Sequence, residues 1–280
     1  MISPEESVKL APVDVGGPGP LGAADGVERP TPLGAVRLAA AADLRMGVER
    51  RGRSRSLFAA LPEVADVLLL AGGLTASGLV SEAETLADEL DGLGVPIVAV
   101  LGARDHEAGQ EVPIRAALTS MGWTVLDASA RVLEVAGARL GVAGMTGFAG
   151  GFGLDYQLWA AVREHRPADR DQAWAERFGW ALAGLELPEQ NADIRVALTH
   201  FAPTLATLEG ERELGQANLG NELLGEIIDA TRADVAIHGM ARHGARAGRT
   251  PHGIPTYNVS QPVLGGPFTV LRLPVRHRAG

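Results

Sequence analysis

The sequence predicts an α/β layered sandwich, and three observations carry that expectation. From residue 35 onward, short runs of Val, Leu, Ile and Ala alternate with stretches of helical periodicity. The runs are apolar almost throughout and stop at Gly or a polar residue, as strands covered on both faces do. Towards the end, strand follows strand without an intervening helix, so antiparallel pairs join the parallel ones. Taken in order, 35–41, 66–72 and 96–102 read as buried strands. Residues 81–94 carry Ala83, Leu86, Ala87 and Leu90 on one helical face, with Gly92 or Gly94 as the stop. Residues 113–123 form a second amphipathic helix. Between 123 and 144 lie three strands, the last two making a hairpin around Gly137-Ala138. A strand at 194–199, a helix at 221–232, a strand at 234–239 and strands at 255–259 and 267–273 complete the series.

Residues 1–34 hold six of the 17 prolines and few large apolar side chains. They bury too little surface to offset the entropy of ordering, and a disordered Pro/Gly-rich tail is expected there. The domain then spans 35–275. An insertion at about 146–190 interrupts it and holds seven of the twelve aromatic residues: Phe148, Phe152, Tyr156, Trp159, Trp174, Phe178 and Trp180. A mobile lid over a site is one reading. A helical hairpin with its own small core is the other, and the helical spacing of Trp174, Phe178, Ala181 and Leu185 favours it.

Composition excludes several classes of function. Twenty-five basic against 34 acidic residues leave a net charge of −9, the wrong sign for a nucleic-acid or anionic-membrane binder. There is no cysteine, so disulfides, thiolate metal sites and cysteine nucleophiles are excluded. No apolar run is long enough to span a bilayer and the start lacks an apolar leader core, so a cytoplasmic protein is expected. The basic run 49–56 reads as a solvated loop. The glycine-rich stretch 147–153 lacks the lysine of a phosphate-binding loop, and no Ser or Thr stands in a nucleophile elbow.

Polar residues gather where the strands end: Asp43-Leu44-Arg45, Gly72-Gly73-Leu74-Thr75, Gly102-Ala103-Arg104-Asp105, Thr199-His200, and His238-Gly239-Met240-Ala241-Arg242-His243. Ligands of α/β sheets bind at the carboxyl ends of strands, so these five stretches are candidates for one pocket. Their order and spacing over about 34–275 resemble the calcineurin-like metallophosphoesterases, as does the closing stretch Asn258–Val263. That family reads Asp-x-His, Gly-Asp, Gly-Asn-His-Asp, a lone His and Gly-His-x-His in the same order. The resemblance implies two packed mixed β-sheets flanked by helices, two divalent metals such as Mn, Fe or Zn, and hydrolysis of phosphoric esters. Mapped residue by residue, two metal-ligand positions keep their residue, Asp43 and His200. The other five are Arg45, Gly73, Ala103, Met240 and Arg242, and the position of the catalytic His is Arg104.

Each replacement removes a donor. Gly73 and Ala103 have none, arginine stays protonated, and a thioether such as that of Met240 suits soft ions instead. The expectation is therefore a pseudoenzyme with no metal cofactor and no catalytic residue. Two metals and two carboxylates would sum to about +2; Arg45, Arg104 and Arg242 with Asp43 again give about +2. Asp43, Arg45, Arg104, His200 and Arg242 are thus read as a pocket for a phosphate- or carboxylate-bearing ligand. Alternatively, the arginines only fill the vacated volume and neutralise Asp43. Three further readings stand beside these: a protein partner held through 146–190, a purely structural role, and residual metal-dependent phosphoesterase activity. A shifted metal site for the last would draw on His106, His238, His243 or His252.

Overall fold

A computed structural model describes residues 13–14, 34–154 and 169–275 of the chain. Its strands are β1 (Val13–Asp14), β2 (Ala35–Ala41), β3 (Val67–Ala71), β4 (Ile97–Val100), β5 (Thr124–Leu126), β6 (Ser129–Val135), β7 (Ala138–Met145), β8 (Ile194–Thr199), β9 (Val235–His238), β10 (Ala247–Arg249), β11 (Pro255–Asn258) and β12 (Thr269–Pro274). The helices are α1 (Arg55–Phe58), α2 (Leu61–Val64), α3 (Val80–Leu90), α4 (Glu111–Ser120), α5 (Asp169–Gly184), α6 (Glu213–Gln216), α7 (Glu222–Ala230) and α8 (Gln261–Leu264). The strands form two six-stranded sheets, ordered β1-β12-β2-β3-β4-β5 and β10-β11-β9-β8-β7-β6. In the first, β2 to β5 are parallel and β12 runs against β2; in the second, β7, β8, β9 and β11 are parallel, with β6 and β10 antiparallel at the edges.

The alternation of side chains along each strand makes the layers. Leu38, Ala40, Val67, Leu69, Val98 and Val100 face the second sheet and meet Val142, Val196, Leu198, Val235 and Ile237. One residue out of step, Ala39, Ala41, Leu68, Leu70 and Ala99 face Phe58, Leu61, Leu86, Leu90, Ile114 and Leu118 of the first four helices. Ala143, Met145, Ala197 and Ala236 face Phe178 and Leu182 of α5 and Leu224 and Ile228 of α7. Both faces of both sheets are therefore covered, the physical reason for the nearly continuous apolar runs.

Three expectations change in detail. The β6–β7 hairpin turns on Ala136-Gly137, one residue earlier than read, because Val135 pairs with Ala138 and both turn residues are left-handed (φ 50 and 76). The edge strand β10 carried no apolar alternation and was not anticipated. Of the aromatic insertion, α5 packs on the outer face of the second sheet through Phe178, Leu182 and the following Leu185, with Trp174 and Ala181 half-buried beside them. Within the described residues it belongs to the domain core. Tyr156 and Trp159 lie outside the described residues, as does the tail except for Gly34 and the pair Val13–Asp14, which runs parallel to β12.

The basic run 49–56 is tied down by a carboxylate. Glu89 of α3 is 5% exposed and accepts the backbone N–H groups of Gly52, Ser54 and Arg55. Burial alone would raise its pKa, but those donors and the Arg55 charge bring it below the ordinary value.

The two faces of α5 respond differently to truncation. Phe178→Ala, fully buried, loses about 3–5 kcal/mol of unfolding free energy in urea. Trp180→Ala, 69% exposed on the same helix, stays within about 0.5 kcal/mol of the parent.

Candidate functional site

The two sheets are stitched together at one end, and that seam is the floor of the site. Ala42 N–H, just after β2, donates to the carbonyl of Val259 (2.8 Å), and Gln261 N–H donates to that of Ala42 (3.0 Å). Val259 N–H donates in turn to His238 (2.8 Å). His200, at the end of β8, crosses from the second sheet to the first: Nδ1 lies 2.8 Å from the carbonyl of Ala71. A carbonyl only accepts, so Nδ1 is the donor in this contact. The loops after β2, β3, β4, β8, β9 and β11 converge here, and all five stretches singled out in the sequence take part.

The loops approach each other at van der Waals limits. A Cβ on Gly102 would lie 2.2 Å from the nitrogen of Gly73 and 2.8 Å from the His200 ring. Gly73 is left-handed (φ +65), and a Cβ there would lie 2.7 Å from Asp43 Oδ1 and 2.9 Å from Asp43 Cα. Asp105, with no exposed surface, braces the arrangement. Its carboxylate accepts the N–H groups of Leu74 (3.1 Å), Thr75 (2.8 Å) and Gly102 (2.7 Å) and the Thr75 hydroxyl (2.6 Å). Three non-glycine residues in left-handed conformation, Asp43 (φ 57), Arg45 (φ 48) and Met240 (φ 66), also fall at this seam. Each such residue costs about 1–2 kcal/mol, and clusters of them are a feature of functional sites.

Asp43 is buried, and its nearest partner is Ser260, whose hydroxyl donates to Oδ2 at 2.6 Å. Among the described residues no arginine lies within salt-bridge distance of Asp43, and the turn into α8 delivers Ser260 to that oxygen; the Asp43 charge still acts on Arg45 at longer range.

The three arginines do share one electrostatic neighbourhood. Arg45 is half-buried, and its Nε is sealed from solvent without a hydrogen-bond partner. Burial lowers the pKa of its guanidinium, and the charge of Arg242 lowers it further; Asp43 opposes, Arg104 lowers again, and Glu107 opposes. Arg104 reaches the carbonyl of Ala76 and the carboxylate of Glu107, both at 3.3 Å, and Arg242 is exposed. Three guanidinium groups thus face two carboxylates, one net positive charge instead of the two expected, because Glu107 was not counted.

The residues present do not fit a binuclear metal centre. Asp43 and His200 are the only oxygen and imidazole donors left at the seven mapped positions, and the bridging position is a glycine whose backbone has closed onto Asp43. Of the other histidines only His238 neighbours Asp43 and His200, and both of its ring nitrogens are engaged elsewhere. His238 is fully buried, with Nδ1 2.7 Å from the carbonyl of Gly239 and Nε2 2.8 Å from the Thr207 hydroxyl. Burial first, and also the neighbouring His200, push its pKa down to about 4 against the opposing bond to Gly239 and the charge of Asp43. His106 is exposed, 3.5 Å from the Thr146 hydroxyl. His243 lies on an exposed loop, and His252 pairs with Asp229 at 3.0 Å on another part of the surface. Among the described residues, no group of three or more His, Cys, Asp or Glu is placed to hold a metal ion.

Sequence reasoning passed over Glu107 and gave no role to Asp105, the last residue of the 102–105 stretch, or to Ser260 inside the closing stretch; nothing in the pattern says which atoms they reach.

No family model matches the chain, and no curated protein does. Solved structures do. The phosphopantetheinyl hydrolase PptH of Mycobacterium tuberculosis superposes with a TM-score of 0.55 at 15% identity, over 81% of this chain and 89% of its own. A 5'-nucleotidase-type protein of Staphylococcus aureus gives 0.50 at 16% identity, over 88% of this chain and 55% of its own. GAP50, the anchor in the inner membrane complex of Plasmodium, gives 0.51 at 11% identity, over 82% and 72%. At such identities the likeness is one of fold, and that fold is the calcineurin-like phosphoesterase sandwich.

Two outcomes follow from the geometry. Gly73→Ala loses about 1–3 kcal/mol more than Gly122→Ala in thermal or urea unfolding, because both glycines are left-handed but only Gly73 is crowded. His238 stays neutral in the fold while its unfolded form protonates below about pH 6.5. The unfolded state therefore binds more protons between pH 6.5 and 4, and stability falls by roughly 3 kcal/mol as pH drops through that window. In His238→Gln, unfolding free energies measured at pH 7, 5.5 and 4.5 lose that part of the slope.

Proposed function

We propose that this protein is a pseudoenzyme of the calcineurin-like phosphoesterase fold, without the binuclear centre, that binds a phosphate- or carboxylate-bearing ligand. The observation that carries the reading is Arg45. Its guanidinium is half-buried, its Nε has no partner, and two further guanidinium groups depress its pKa. A fold gains nothing from collecting like charges on a partly desolvated group. A bound anion turns the same arrangement favourable, since guanidinium groups bond phosphate and carboxylate in bidentate fashion. Asp43, already satisfied by Ser260, offsets part of the arginines' charge at a distance and leaves the anion to them.

A role in which the fold serves only for attachment is the second reading. The description of GAP50 as an anchor supports it, as does the exposed Trp180 on the aromatic insertion.

Thermal unfolding with inorganic phosphate and pyrophosphate separates the two. At a ligand concentration about a hundred times its dissociation constant, Tm rises by roughly 5–10 °C. Arg242→Ala, which removes an exposed side chain with no part in the core, abolishes the rise. No rise in the parent, or the same rise in the variant, sinks the anion-binding reading and leaves the attachment role.

A further inference from the structure

The loop after β8, α7 and the turns at 152–153 and 251–252 enclose a half-open cavity of about 490 Å³. Its walls are apolar: Phe152, Pro203, Leu205 and Pro251 line it, and Leu205 is 47% exposed. Three carboxylates face it from α7, those of Glu222, Glu226 and Asp229. They stand at i, i+4 and i+7, one face of the helix. Among the described residues no Lys or Arg lines it, and His252 is the only base there.

The fold accounts for two of the three acids. Glu222 accepts the N–H of Gly153, and Asp229 holds Thr250 and His252. Glu226 is exposed and has no partner among the described residues. Acids four apart on a helix repel, so Glu226 weakens α7 without a compensating contact. The four titratable groups of the cavity are also not placed to close around one metal ion. Volume, apolar walls and spread negative charge together call for an extended organic cation.

We propose that this cavity receives an arginine side chain presented by a partner peptide. The guanidinium group pairs in a bidentate manner with Glu226 and the free edge of Glu222, while the methylene stem lies on Leu205 and Pro251 and the plane meets the ring of Phe152. The exposed Leu205 at the lip gives the flanking peptide an apolar surface to cover. This site is independent of the anion pocket and carries the opposite charge.

The test is fluorescence polarisation of the full chain with a labelled Leu-Arg-Leu-Arg-Leu peptide, beside the same peptide with citrulline for arginine. The arginine peptide binds saturably, and the citrulline peptide binds at least about tenfold more weakly, the loss of one charge-assisted pair. Glu226→Gln, on an exposed side chain without a partner among the described residues, weakens the arginine peptide by a similar factor. Glu84→Gln, an exposed acid on α3, leaves binding unchanged. Equal binding of the two peptides, equal loss in the two variants, or no saturable binding overturns the proposal. Ethylguanidinium competing as tightly, mole for mole, as the peptide overturns the peptide as occupant and makes this a small-molecule site.

Discussion

The architecture of the site depends on the closeness with which the loop after β3 lies against the loops after β2 and β4. Gly73 sits where a side chain would run into Asp43, and Gly102 where one would run into Gly73 and His200. The Asp105 carboxylate gathers the donors of Leu74, Thr75 and Gly102 into one buried knot. With no exposed surface and four hydrogen bonds, that carboxylate is fully compensated, and removing a partner would leave a buried charge exposed to its own desolvation. His200 then ties the knot to the second sheet through the carbonyl of Ala71. Everything that projects from the seam inherits its position from this packing.

The same closeness decides the chemistry. A side chain at position 73 would run into Asp43, and the glycine that stands there brings no donor. What gathers at the seam instead is positive charge, the guanidinium groups of Arg45, Arg104 and Arg242. A guanidinium gives no lone pair and activates no water, but it is a fixed positive charge with directional donors. A site built of such groups is suited to holding an anion and poorly suited to cleaving one.

Most of the fold was legible because both sheets are covered on both faces, which leaves nearly unbroken apolar runs at 35–41, 67–71, 97–100 and 194–199. The edge strand β10, Ala-Gly-Arg, has no such run and escaped notice. The location of the site was legible as well, since strand ends carry the polar motifs. Its internal pairing was not. Asp43 and Ser260 are 217 residues apart, and Glu107 enters only through its proximity to Arg104 and Arg45. Spacing shows which loops meet, whereas side-chain partners depend on φ values such as those of Asp43 and Arg45, which the pattern does not encode.

The central claim is that the donor set cannot hold the two metals of its fold, and elemental analysis tests it most directly. The purified full chain would be incubated with Mn²⁺, Fe²⁺ or Zn²⁺, freed of excess ion and assayed for retained metal. The account predicts no stoichiometric retention of any of the three, because Asp43 and His200 alone cannot fix them. Tightly held metal approaching one or two ions per chain would contradict it and return the protein to the hydrolases.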